Sequence, residues 1–245
     1  MLLERAVLTG LHWIRTTETS RILCYHAVGT PQWGVNDVAP DVFQSQMELA
    51  LDLGYSFVSA SELAETLATD NGRRLAITFD DGVRSVATNA APILRRLGIP
   101  WTLFVVSDWA GGRHPADADL LLTWREIDRL AGMGAVIGSH SRSHPDFGRL
   151  DPAAVEAELV QSREAIRCHL GITASDFAIP LGQRANWSLG AQRLAEQMGY
   201  TRVYSQAERT RLPGTIARTF ITRLDHGPIF RGALRGAFAN WEEWY

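Results

Sequence analysis

The sequence predicts an α/β fold: a barrel of about seven parallel strands, closed or incomplete, with a helix after most strands. Short apolar runs alternate with helical patterns from about residue 21 onward. Successive strands separated by helices run parallel, because a parallel return needs a long crossover. The chain has 245 residues, a length that α/β barrels use as one unit, and no internal repeat or Pro-, Gly- or Ser-rich linker divides it.

Taken in order, 22–26 reads as the first strand. A helical pattern over 42–53 follows (Phe43, Met47, Ala50, Leu51) and stops at Gly54, a residue suited to a helix C-terminus. A short strand over 55–58 leads to a helix capped by Ser61 and running through 62–67. Residues 75–79 form a β-rich run, 86–97 a helix ending at Gly98, and 101–106 a strand. Thr123 caps a helix over 123–131, and 135–138 is a strand leading into His140. Asp151 caps a long helix over 152–170, with Pro152 in its first turn and Gly171 past its end. A short strand over 177–179, a helix over 188–198 and a strand over 201–204 complete the regular part. A last strand over 216–224 and a helix over 229–238 are weaker, and Trp241 and Trp244 are expected to dock the tail.

Composition narrows the function. With 46% hydrophobic and 21% charged residues and a net charge of −3, the chain can bury a sizeable core and carries no nucleic-acid or polybasic membrane footprint. Cys24 and Cys168 lie far apart and are expected as buried free thiols. The apolar stretches of the N-terminus are broken by Glu4, Arg5 and His12. A helix packed on the body is expected there, with no export signal or membrane span, and hence a cytoplasmic protein.

Three polar clusters stand directly after predicted strands, where α/β folds place their chemistry. Thr78-Phe79-Asp80-Asp81-Gly82 sets two carboxylates side by side. A cation bound by one relieves their repulsion and leaves the other free as a base; the same pair also suits a helix N-terminus. Gly138-Ser139-His140-Ser141-Arg142-Ser143-His144 places two histidines four apart, on one face of a helical turn, where both imidazoles can chelate one metal. Position 141 is Ser, so the helix-borne base of the zinc proteases is absent. The third cluster, Phe177-Ala178-Ile179-Pro180-Leu181-Gly182, ends in a turn that can aim a backbone N–H at a developing oxyanion.

These residues resemble the NodB-homology polysaccharide deacetylases, carbohydrate esterase family four, over roughly 20–205. The likeness rests on Leu23-Cys24-Tyr25-His26, Thr78 through Gly82, Gly98-Ile99-Pro100 before Phe104-Val105, Trp124, and Gly138-Ser139-His140 through His144-Pro145. It implies a distorted, incomplete (β/α)7-type barrel forming a single catalytic domain over 1–245. Residues 1–20 would be a helical extension, about 20–225 the barrel and 226–245 a tail. It further implies Asp80 as catalytic base and Asp81, His140 and His144 as metal ligands.

The third motif departs from the family's Arg-x-Pro-Tyr/Phe-Gly or Ala-Tyr-Pro-Tyr-Gly. No Arg stands at position 178, so Arg218, on a late predicted strand, is the candidate to orient the base. Leu181 replaces an aromatic, while Pro180 and the backbone N–H of Leu181 remain available for the oxyanion. Leu224-Asp225-His226 matches the family's late Leu-x-His motif, making His226 a candidate general acid. His26 is a pocket-lining candidate or a hydrogen-bonded rim residue. His114 and His169 read as surface or packing residues. Trp33, Trp109 and Trp124 lie where an indole can stack on a sugar or simply pack.

The expected activity is metal-dependent removal of an N-acetyl group from an amino-sugar-containing oligo- or polysaccharide, or from a lipid-linked sugar. Zinc is the expected metal, with cobalt, nickel or iron also suited to N/O ligands. A related hydrolase acting on a non-sugar amide or cyclic imide, and a catalytically dead carbohydrate-binding homologue, stand as alternatives.

Overall fold

A computed structural model describes residues 2–12, 19–67, 72–114 and 118–239; the expected docking of Trp241 and Trp244 lies outside them. Ten strands occur among these residues: β1 Arg21–Tyr25, β2 Ala27–Val28, β3 Asp37–Val38, β4 Ser56–Phe57, β5 Arg74–Phe79, β6 Trp101–Val105, β7 Val136–Ser139, β8 Asp176–Ala178, β9 Arg202–Tyr204 and β10 Thr219–Phe220. The α-helices are α1 Leu2–His12, α2 Pro40–Asp52, α3 Ala60–Thr66, α4 Ala91–Leu97, α5 Ser107–Ala110, α6 Trp124–Gly132, α7 Pro152–Leu170, α8 Leu189–Gln197 and α9 Pro228–Leu234.

The main sheet is parallel throughout and runs β10-β1-β5-β6-β7-β8-β9, with β4 also pairing β5. Seven strands thus curl as a barrel around one axis. The closing segment is shorter than the expected strand over 216–224. Ile216 makes a single parallel bridge to Tyr204 of β9, and only Thr219 and Phe220 pair with β1. One segment therefore touches both ends of the sheet, and Arg218 sits in its middle.

Side chains alternate across each strand. On the outer face, Leu23, Tyr25, Ile77, Phe79, Leu103, Val105 and Phe177 join the main core against the helices. The opposite parity gives a small interior cluster: Ile22, Ala76, Phe104, Ala178 and Tyr204. The same parity carries Cys24, His26, Thr78 and Asp80 toward the barrel mouth, so the polar chemistry continues the inward-facing row.

Caps follow the sequence at most helices. Thr123 and Glu126 form a capping box on α6, and Asp151 accepts from Ala154 N at the start of α7, which Gly171 ends in a left-handed conformation. The cap of α3 is Ser59, which accepts from Glu62 N, and not Ser61 as the sequence suggests. α1 packs against α9, with Arg5 fully buried in an ion pair with Asp225 and over the ring of Phe238. No described helix is long and apolar enough to cross a membrane.

Gly138 is a tight position in the barrel interior: a Cβ there would lie 2.5 Å from the Phe104 ring and 3.1 Å from the Asp176 carbonyl. Gly138→Ala is therefore expected to destabilise the fold by about 1–3 kcal/mol through overpacking. An unchanged urea midpoint for that variant would contradict this account of the barrel interior.

Candidate metal centre and active site

Asp80 follows β5 directly and its N–H bonds to the Tyr25 carbonyl at 3.0 Å, which carries the strand register one residue further. The backbone then reverses through Asp81 at φ 69° and Gly82 at φ 80°. Positive φ is natural for Gly82 and uncommon for Asp81. The reversal sends the two neighbouring carboxylates to different partners.

Asp80 is fully buried and takes both prongs of the Arg218 guanidinium. Arg218 Nη1 donates to Oδ1 at 2.7 Å and Nη2 to Oδ2 at 2.8 Å. Arg218 also donates to Thr78 Oγ1 at 3.2 Å and lies over the Phe104 ring at 5.3 Å. Burial alone pushes the Asp80 carboxyl up. The Arg218 charge, aided by His140, outweighs it and holds Asp80 well below the usual carboxylate range. Cys24 adds an S–H donor 3.4 Å from Asp80 Oδ2; burial pushes this thiol up, so it stays protonated.

His140 continues β7, with its N–H on the Val105 carbonyl at 2.9 Å. The two histidines do not share a helical face. The segment after β7 is a loop in which Ser141 and His144 both have positive φ, at 69° and 61°. Convergence is imposed by that loop, and α7 holds it. The buried Glu158 carboxylate accepts from the N–H groups of Arg142 and Ser143, both at 2.9 Å, and from the Ser143 hydroxyl at 2.8 Å. Ser141 Oγ accepts from His144 N at 2.9 Å.

Asp81 Oδ1 then lies 3.6 Å from Nε2 of both His140 and His144. These three groups form one cluster able to hold a metal ion. Two atoms at its centre, Asp81 Oδ1 and His140 Nε2, are buried without a hydrogen-bond partner. His140 Nδ1 donates to the Ala178 carbonyl at 2.9 Å, the arrangement that leaves a lone pair on Nε2. Burial lowers the His140 pKa to about 4, so the ring is neutral at physiological pH. Two imidazole nitrogens and one carboxylate oxygen, with His140 Nε2 and Asp81 Oδ1 buried and unsatisfied, fit a divalent cation.

His26, after β1, joins this group. It is buried, shares a cluster with Cys24 and Asp80, packs edge-on to Phe220, and has an unpartnered Nδ1. Pro180, Leu181 and Gly182 form the turn after β8. Leu181 has φ 63° and exposes its side chain by 43%, while the Gly182 carbonyl is pinned by Gln206 N at 2.8 Å and Ser205 Oγ at 2.7 Å. The turn follows Ala178, the residue that orients His140.

Two candidates fall outside this group. His226 is exposed and lines a groove with Asp41, Ser45 and Leu49 of α2. Its neighbour Asp225 turns inward to Arg5 and to Thr222 N, which sends His226 outward. Trp124 stacks on His169 of α7, with centroids 4.6 Å apart and rings 9° from parallel. Cys168 is exposed rather than buried. Trp33 and Trp109 do reach the centre: Trp109 stacks on His144 at 5.2 Å, and Trp33 Nε1 donates to Asp81 Oδ2 at 3.1 Å. His114, read as a surface or packing residue, lies between their rings.

The scaffold acid Glu158 went unnoticed in the sequence, although it interrupts the buried stripe Val155, Leu159, Ser162 and Ile166 of α7. A charged residue on an apolar helix face was the available signal.

Comparison with known proteins gives the family and the fold. The family model described as Polysaccharide deacetylase matches residues 68–203. The chain belongs to the polysaccharide deacetylase family. It is 26% identical over 203 residues to the Bacillus subtilis (strain 168) protein YxkH, covering 80% of this chain and 70% of that one. It is 30% identical over 121 residues to a chitooligosaccharide deacetylase of Bradyrhizobium sp. (strain ANU 289), covering 49% of this chain and 48% of that one. The fold matches the Streptococcus pyogenes deacetylase PplD at a TM-score of 0.76 and 20% identity, over 88% of this chain and 98% of that one. The deacetylase class of enzyme and the curled barrel that the sequence points to are those of the family.

Arg218→Met is expected to leave the buried Asp80 charge uncompensated and to cost about 3–5 kcal/mol of unfolding free energy. Arg218→Lys, which keeps the charge and loses the fork, should cost less. Equal stability of wild type and Arg218→Met in urea denaturation would contradict the pairing.

Proposed function

We propose that the chain is a metal-dependent hydrolase that removes N-acetyl groups from an amino-sugar-containing oligo- or polysaccharide. The observation that carries this reading is the pair of buried, unsatisfied atoms, Asp81 Oδ1 and His140 Nε2, 3.6 Å apart beside a fully ionised Asp80. Asp81, His140 and His144 would hold a divalent cation, with zinc the expected metal, and a cation there supplies Lewis-acid polarisation of the acyl oxygen and acidifies a water.

Asp80 orients the attacking water and accepts its proton. A carboxylate gripped by Arg218 holds a proton only briefly, so the proton must move to a group of higher affinity. His26 is the site's imidazole outside the cation cluster, and it faces both aspartates. We assign it, rather than His226, the transfer of a proton to the leaving amine. The Leu181 N–H, on the rigid turn after β8, is the donor proposed for the tetrahedral oxyanion. Arg218 takes the place of the arginine missing at position 178.

The relatives named as chitooligosaccharide deacetylases support an acetylated amino sugar as substrate. Trp33 and Trp109 at the mouth offset the aromatic ring lost at Leu181. The exposed apolar Leu181 side chain is the feature that favours a non-sugar amide, and a substrate panel containing both classes separates the two.

Asp80→Asn keeps the shape and hydrogen-bonding size of the side chain and removes its basicity. Acetate release from acetylated chito-oligosaccharides is expected to fall about 10²- to 10⁴-fold, with metal content unchanged. An active Asp80→Asn enzyme would overturn the assigned base.

A further inference from the structure

The loop between β1 and α2 carries one feature that neither the family's motifs nor the mechanism above uses. Trp33 is half-buried, and its indole N–H donates to Oδ2 of Asp81 at 3.1 Å, the oxygen on the far side of the carboxylate from the cluster. The other oxygen, Oδ1, is the unsatisfied atom that faces both histidines. The indole thus divides the work of the carboxylate between its two oxygens.

The loop that presents Trp33 is closed on itself. Asp37 Oδ1 accepts from Gly29 N and Thr30 N, both at 2.7 Å, and β2 pairs with β3 across its base. Trp33 N bonds to the Thr30 carbonyl at 2.9 Å, and Arg223 N bonds to Val35 O at 2.9 Å. Trp33 therefore meets Asp81 from a fixed frame. Asp81 needs such a partner because it stands at φ 69°, on a reversal that does not orient its side chain by strand packing.

We infer that Trp33 is a positioning residue of the metal centre: its N–H holds Asp81 Oδ2 so that Oδ1 alone faces the cation. Outer hydrogen bonds of this kind orient a ligand, and their loss typically costs about 10- to 100-fold in metal affinity. The inference rests on the metal-dependent reading above.

The test is Co2+ titration of the apoprotein, followed by visible absorption, for wild type and Trp33→Phe. Phe keeps an aromatic ring in the loop and removes the donor. Wild type should bind one equivalent. Trp33→Phe should bind about 10- to 100-fold more weakly, with altered band positions and unchanged thermal unfolding of the apoprotein. Replacing Trp33 by its benzothienyl analogue, which deletes only the N–H, should reproduce the loss even if Phe perturbs the loop. Wild-type affinity and spectrum in both variants would overturn the inference alone. A wild-type chain that takes up no Co2+ or Zn2+ would overturn the metal-dependent reading and this inference with it.

Discussion

A buried ion pair at the barrel mouth, Arg218 with Asp80, is the interaction on which the rest of the site depends. Both side chains are shut off from water. Their desolvation is offset only because the guanidinium matches the carboxylate prong for prong and finds further acceptors on Thr78 and Ser205. Arg218 stands between the bridge to β9 and the pairing with β1. The residue that closes the barrel is thus also the one that keeps Asp80 charged. Fold closure and the state of the proposed base are one structural fact.

Around that pair the backbone is bent against ordinary preference. Asp81, Ser141, His144 and Leu181 are the non-glycine residues with positive φ among those described, and all four lie in the three loops that follow β5, β7 and β8. Such conformations cost of order 1–3 kcal/mol each and persist where surrounding contacts fix them. Here Glu158 fixes the histidine loop, and Gln206 with Ser205 fixes the Leu181 turn. The strain serves to bring side chains from the loops after β5 and β7 onto a single point.

Much of this was legible in the sequence where it was local. Strand–helix alternation, the Asp151 and Thr123 caps and the clusters at strand ends each depend on neighbours within a few residues. The alternation of Ala76, Thr78 and Asp80 even places Asp80 on the inner face. What the sequence leaves open is set by distant contacts. The His-x-x-x-His spacing suits a helix, and only the buried Glu158 of α7 reveals why a loop forms instead. His226 follows a plausible motif, yet the Arg5–Asp225 pair, spanning nearly the whole chain, turns it to solvent. Trp124, at a helix start, and Trp33, in a loop, look alike as candidate stacking residues; one stacks on His169 and the other meets Asp81, and neither partner is near in sequence.

The central claim is that Asp81, His140 and His144 bind one divalent cation while Arg218 remains on Asp80. Anomalous diffraction from a Zn2+-soaked crystal tests it most directly. A single strong peak is expected, ligated by Asp81 Oδ1 and by Nε2 of both histidines, with the Arg218–Asp80 fork intact. Absence of a peak there, or a cation on Asp80 with Arg218 displaced, would contradict it.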